Sequence, residues 1–157
     1  MFQIKLDDLS GPEIFQLLQQ HLEDMQATSP PESKHALDLE GLKDSSVKFW
    51  TIWQGNVLAG CGAYKHLNDD RVEIKSMRTA NDFRGKGVAS FLLTHIIERA
   101  KNSGYKEIYL ETGSMDYFKP AHQLYKKHGF DFCGPFANYK EDMNSVFMCL
   151  EIDLNQR

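Results

Sequence analysis

Arg84-Gly85-Lys86-Gly87-Val88-Ala89, set between an apolar strand and an amphipathic helix, is the stretch on which the reading of this chain turns. Upstream, Arg71 to Thr79 reads as a strand. Downstream, Val88, Phe91, Leu92, His95, Ile96, Arg99 and Ala100 recur at helical spacing, which predicts a helix over 86–103 ended by Gly104. Lys106 to Thr112 is strand-like again, so the three pieces form a βαβ unit with parallel strands and a right-handed crossover. The two glycines remove side chains where the backbone must turn. The free amides of the helix N-terminus then point out of the loop, where the helix dipole favours an anion. Arg84 and Lys86 add positive charge, and a phosphate group is the natural occupant. The loop is neither GxxxxGK[ST] nor GxGxxG, since Ser90 stands where the latter needs glycine. On this feature alone, a phosphate cradle and a plain tight turn both remain open.

Working outward, Phe2 to Leu6 alternates as a short strand, and Ser10-Gly11-Pro12-Glu13 starts a helix carrying Ile14, Leu17, Leu18, His21, Leu22 and Met25 at helical spacing. Thr28-Ser29-Pro30-Pro31 breaks it, and Ser33 to Leu42 suits a shorter second helix. Val47 to Gln54, Val57 to His66 and Arg71 to Thr79, joined at Gly55-Asn56 and Asn68-Asp69-Asp70, predict an antiparallel meander. Trp50 and Trp53 read as sheet residues. Beyond the βαβ unit, Asp116 to His128 is a helix with Pro120 in its first turn and Gly129 at its end. Phe130 to Phe136 and Ser145 to Leu154 are the last strands, joined by the polar loop Ala137 to Asn144. The order is β-α-α-β-β-β-α-β-α-β-β with a mixed sheet.

The chain has 157 residues, which predicts a single domain over 1–157. Eighteen Lys and Arg against 22 Asp and Glu give a net charge of −4, which argues against nucleic acid as a partner. A hydrophobic fraction of 41% with 11% aromatic residues is a globular composition. No apolar run is long enough to span a membrane, and the first ten residues show no secretory signal. Cys61, Cys133 and Cys149 have no CxxC spacing and read as reduced residues of a cytoplasmic protein. The six histidines show no ligand spacing, so no metal is expected.

Taken whole, Arg84-x-x-Gly87-x-Ala89 resembles the acyl-coenzyme A pyrophosphate loop of the GNAT superfamily of N-acetyltransferases. Ala121-x-x-Leu124-Tyr125-x-x-x-Gly129-Phe130 resembles the same family's fourth helix and following strand, in the right order and separation. LETGSM, PAHQLYKKHGF and NSVFM are similar to a bacterial group of small GNAT proteins. The resemblance implies an α/β fold of the α+β type, a mixed, mostly antiparallel seven-stranded sheet flanked by helices. It implies an acetyltransferase that takes acetyl-CoA as cosubstrate. The amides of Gly85, Lys86, Gly87, Val88 and Ala89, beside Arg84, would cradle the pyrophosphate. The main chain of Met77 and Thr79 would pair with the pantetheine arm, and a backbone N–H near Met77 would stabilise the oxyanion.

By the same resemblance, Tyr125 corresponds to the tyrosine that protonates the departing thiolate; packing on its helix face is the other reading. The acceptor amine must lose a proton to attack, since its ordinary pKa is about 10. Glu73, expected to share a strand face with Lys75 and Met77, is one candidate base, and Glu111 is a second. Each has a plainer reading, Glu73 as a strand residue paired with Lys75 or Arg71, Glu111 as a group orienting the acceptor. Phe118 stands where many family members carry a pantetheine-binding Asn. Glu23, Asp24, Tyr117, Tyr139 and Asp142 are expected around an acceptor pocket that suits a cation. The expected acceptor is a small-molecule amine. A protein or peptide acceptor, a non-catalytic acyl-coenzyme A-binding regulator and a homodimer are the alternatives.

Overall fold

The computed structural model describes residues 1–28 and 39–152. Seven strands, β1 (Phe2–Leu6), β2 (Val47–Gln54), β3 (Val57–Asn68), β4 (Arg71–Thr79), β5 (Glu107–Gly113), β6 (Asp131–Cys133) and β7 (Ser145–Glu151), form one sheet. Their spatial order is β1-β2-β3-β4-β5-β7-β6, and every neighbouring pair is antiparallel except β4 and β5. The helices are α1 (Pro12–Thr28), α2 (Leu39–Leu42), α3 (Val88–Asn102) and α4 (Lys119–Lys127). Most of the second helix expected over 33–42, and the end of the last strand expected to reach Leu154, lie outside the described residues.

Alternation sends the sheet's apolar residues to its two faces. On one side Trp50, Ile52, Val72, Ile74, Ile108 and Leu110 pack with Leu92, Leu93 and Ile96 of α3. On the other side Phe49, Cys61 and Ala63 pack with Ile14, Leu17 and Leu18 of α1. Trp50 is 2% exposed, so both tryptophans are sheet residues as expected, Trp50 in the first core and Trp53 against the second.

Three features differ from the sequence reading by more than a residue or two. The helix expected over 116–128 begins as a 3-10 turn (Asp116–Phe118), and only 119–127 is α-helical, because Pro120 lacks an N–H and fits only the first turn. The strand expected over 130–136 pairs only at Asp131–Cys133. The third difference matters more. Ala63 pairs with Lys75 and Cys61 with Arg78, so two steps on β3 face three on β4. Ser76 is the extra residue, at φ +56°, and its carbonyl accepts from the Cys61 thiol at 3.3 Å. This β-bulge inverts the alternation beyond it. Met77 packs with the α3 core beside Val72 and Ile74, while Glu73, Lys75 and Arg78 share the α1 face. The expectation that Met77 shares a face with Glu73 and Lys75 is therefore corrected.

Candidate active site

The cleft comes from where β4 and β5 stop pairing. Their parallel ladder covers only Arg71–Glu73 against Glu107–Tyr109. Beyond it both strands continue unpaired with one another, and a cavity of about 660 Å³ opens between them. That is within the usual range for a small-molecule site. β4 from Glu73 to Thr79, the glycine loop, the start of α3, β5 from Leu110 to Gly113, and Ala121, Leu124 and Tyr125 of α4 line it. The β5-facing backbone groups of the β4 extension have no neighbouring strand, so an extended ligand can pair there as a strand would.

At one end lies the glycine loop. Gly85 and Gly87 sit at φ +77° and +81°, and a β-carbon on either would meet nothing within 4 Å. These glycines are required by the left-handed backbone rather than by crowding. Gly87 caps α3 without any side-chain bond, and the first helical bond runs from the Phe91 N–H to the Gly87 carbonyl at 3.0 Å. The amides of Val88, Ala89 and Ser90 are therefore unspent within the helix, at its positive end. Arg84 and Gly85 line the cavity, and Lys86 lies over the Phe83 ring.

Midway, Tyr125 is 6% exposed and packs edge-to-face on Phe130. Burial alone pushes its phenol well above the ordinary tyrosine range. Its hydroxyl has no hydrogen-bond partner among the described residues, although the residue lines the cavity. α4 is tied in place by His128, bonded to Ser90 at 2.8 Å, and by His122, bonded to the Gly113 carbonyl at 2.8 Å. Phe118 lines the cavity, and its ring lies where a β-carbon on residue 113 would be, 2.3 Å away. A ring at position 118 and a glycine at 113 thus go together, and a side-chain amide is absent there.

At the far end the cavity is charged. Glu73 is 4% exposed, with Lys75 at 2.9 Å and the Tyr139 hydroxyl donating at 2.5 Å to the same oxygen. Lys75 also donates to Tyr139 at 2.7 Å. Burial first, and then Glu73, hold the Tyr139 phenol far above its ordinary pKa, so it remains a donor. Glu111, on the facing strand, accepts from Ser145 at 2.8 Å. Arg78 meets Asp24 of α1 at 2.6 Å, and His21, one turn earlier, completes that wall. Burial, and then Arg78, pull the His21 pKa down to about 4.

Of the residues expected around an acceptor, Asp24 and Tyr117 line the cavity. Tyr139 reaches it through Glu73, whereas Asp142 serves a turn, accepting from the Asn144 N–H at 2.8 Å. Glu23 is exposed away from the lining. Sequence reasoning missed Arg78 and His21. His21 was read as one more residue of α1's apolar face, and alternation without a bulge turns Arg78 away. Among the described residues no cluster suits a metal ion, and no helix is long and apolar enough to cross a membrane.

Residues 12–130 match the acetyltransferase (GNAT) family. The chain belongs to the GNAT family. It is 53% identical, over 92% of its length and 96% of the relative's, to the uncharacterized N-acetyltransferase YsnE of Bacillus subtilis. It is 47% identical, over 97% of its length and 96% of the relative's, to the uncharacterized N-acetyltransferase YedL of Escherichia coli. An IAA acetyltransferase of Azospirillum brasilense is 34% identical over 76% of this chain and 77% of its own. A crystal structure from Klebsiella pneumoniae, assigned as an acyl-CoA N-acyltransferase, superposes with a TM-score of 0.80 at 26% identity, covering 96% of this chain and 97% of that one. The GNAT sheet and helices expected from the resemblance are those observed. The chain is an acetyl-CoA-dependent acetyltransferase of this family.

Proposed function

We propose that the chain moves an acetyl group from acetyl-CoA to a primary amine of a small molecule, by direct attack with both substrates bound. One observation carries this reading. A single cavity joins the unspent amides of α3, the unpaired edge of β4, the unpartnered hydroxyl of Tyr125 and the carboxylates of Glu73 and Glu111. The amides of residues 85–89 with Arg84 suit a diphosphate, and the main chain of Met77 and Thr79 suits an amide-bearing arm. The thioester supplies the activated acyl group. In this reading an N–H at the bulge, beside Met77, stabilises developing negative charge on the acyl oxygen.

Tyr125 holds the proton that the departing sulfur needs. A buried phenol stays protonated until a strong base forms beside it, and a thiolate in a water-poor site is one. Glu73 and Glu111 are the groups that take the amine's proton, directly or through water. Glu73 is fixed by Lys75 and Tyr139, and Glu111 faces it from β5. The name of the Azospirillum relative, an IAA acetyltransferase, also favours a small acceptor.

The test measures coenzyme A binding by calorimetry and thiol release from acetyl-CoA with a panel of amines. Binding with amine-dependent release supports the reading. Binding with no release from any amine, but acetylation of peptides, makes a protein the acceptor. Binding with neither makes the chain a regulator, and no binding removes the assigned cradle.

A further inference from the structure

We propose that the acceptor carries a carboxylate as well as the amine, and that Arg78, flanked by His21 and Asp24, is its anchor. The inference rests on the small-amine reading above and narrows it to aminocarboxylates.

Arg78 reaches the cleft because of the bulge at Ser76. Without the extra residue its side chain would point into the α3 core, where Met77 now lies. On the α1 face it lines the cavity with a side chain only 6% exposed. A guanidinium so buried needs its donors satisfied, because desolvation of an ionised donor is costly. Among the described residues Asp24 meets one terminal nitrogen, Nη1, at 2.6 Å, and Nε is buried with no partner at all. The fork is thus incompletely filled. Asp24, with a side chain 41% exposed, is the more solvated member of the pair.

Asp24 shows which chemistry the fork accepts. Its carboxylate already sits on Arg78, and a second carboxylate can share the fork or displace Asp24 toward solvent. A planar guanidinium matches a carboxylate through two parallel N–H bonds. His21 lies beside it in the same lining, uncharged at neutral pH and therefore able to bond an anion without contesting Arg78. A phosphate dianion fits less well, because Asp24, Glu73 and Glu111 already supply three carboxylates around the cavity and Arg84 lies at the other end. Glu73 and Glu111, away from the Arg78–Asp24 pair, suit the ammonium end of a zwitterion. Glu111 and Glu73 line the cavity on facing strands, so amine and carboxylate have separate partners.

The experiment compares matched acceptors with the full chain and acetyl-CoA. The panel is the standard amino acids, the amines that decarboxylation of each gives, and phosphoethanolamine, read by thiol release and mass spectrometry. A charge-assisted pair predicts that at least one amino acid exceeds its matched amine roughly tenfold or more in kcat/KM, through KM. In Arg78→Gln that ratio falls to about one, and Arg78→Lys restores only part of it, since an ammonium lacks the planar fork. If Arg78→Gln fails to fold, the wild-type ratio alone decides. Amines acetylated with no preference for a carboxylate overturn the inference while the small-amine reading stands. Preference for phosphoethanolamine over every amino acid makes the anchored group a phosphate and overturns it too. Silence from the whole panel, with coenzyme A still bound, overturns the small-amine reading itself.

Discussion

Gly60→Ala tests the seam between β3 and the bulged part of β4, on which the cleft's geometry depends. A β-carbon on Gly60 would stand 2.7 Å from the Arg78 carbonyl oxygen, 3.2 Å from Val88 Cγ1 and 3.3 Å from Ile52 Cγ2. The first of these is main chain on the paired strand, where Gly60 lies opposite Thr79, so no change of rotamer relieves it. β4 must retreat by several tenths of an ångström. Overpacking of this kind costs about 1–3 kcal/mol. The stiffer unfolded chain of alanine returns about 0.4–1 kcal/mol. The net expectation is a loss of about 1–2 kcal/mol. With an m-value of about 2 kcal/mol/M, the urea midpoint falls by roughly 0.5–1 M at unchanged m.

Gly134→Ala is the matched control. Its β-carbon meets nothing within 4 Å, and its φ lies outside the left-handed region. It should leave the midpoint unchanged or raise it slightly. Gly60→Ala should also weaken coenzyme A binding, measured by calorimetry, because the strand that moves carries Met77 and Thr79. Equal midpoints for the two variants would refute the crowding. A lowered midpoint with undiminished coenzyme A affinity would refute the link between this seam and the donor arm.

Tyr125→Phe should fold as well as the parent, since the hydroxyl has no partner among the described residues, and should lose about 100-fold or more in kcat. A folded variant with full turnover removes the acid assignment. His21, held neutral by burial and Arg78 with its pKa near 4, takes up a proton more readily unfolded than folded. Its contribution is complete above about pH 6.5 and is lost as pH falls toward 4, by about 3 kcal/mol at most. Chemical denaturation between pH 7 and 4 should show a shallower decline in His21→Gln than in the parent, and parallel curves would contradict this. Cys61 is fully buried, and burial pushes its thiol up to about 12. In a chain with Cys133 and Cys149 changed to Ser, it should resist a thiol reagent until urea unfolds the protein, and prompt native labelling would show the α1 core to be open.

Much of the fold was legible because its signals are local. The periodicity from Val88 to Ala100, the glycines at 104 and 129, and the meander's turns each declare an element within a few residues. The glycine loop was legible for the same reason, since its role needs only φ above zero and a helix behind it. Arg78 was not legible. Its orientation depends on one extra residue at Ser76, and nothing in Lys75-Ser76-Met77 marks a left-handed serine. The Asp24–Arg78 pair joins residues 54 positions apart on elements that meet only in the folded chain. Glu73 was legible as a carboxylate on β4, but its ties to Lys75 and Tyr139 were divided between two readings, because position 139 lies in a loop whose path no periodicity predicts.

The site's position follows from topology as much as from residue type. Five of the seven strands have only antiparallel neighbours, and α3 exists to carry the chain from β4 across to a parallel β5. Both strands of that pair therefore end at the same side, where the glycine loop also emerges. This is where open sheets offer ligands the carboxyl ends of strands and a helix N-terminus together. Because the ladder stops at Glu73, unpaired backbone and a cavity follow directly. The bulge then divides the walls of the opening. Residues of one register, Val72, Ile74 and Met77, keep the α3 core closed, while Glu73, Lys75 and Arg78 bring charge to the α1 side. A β4 that kept strict alternation would turn Arg78 toward Leu92 and Ile96 and Met77 toward the α1 side. The one-residue insertion is thus what allows a single strand to seal a core and present a charged acceptor wall.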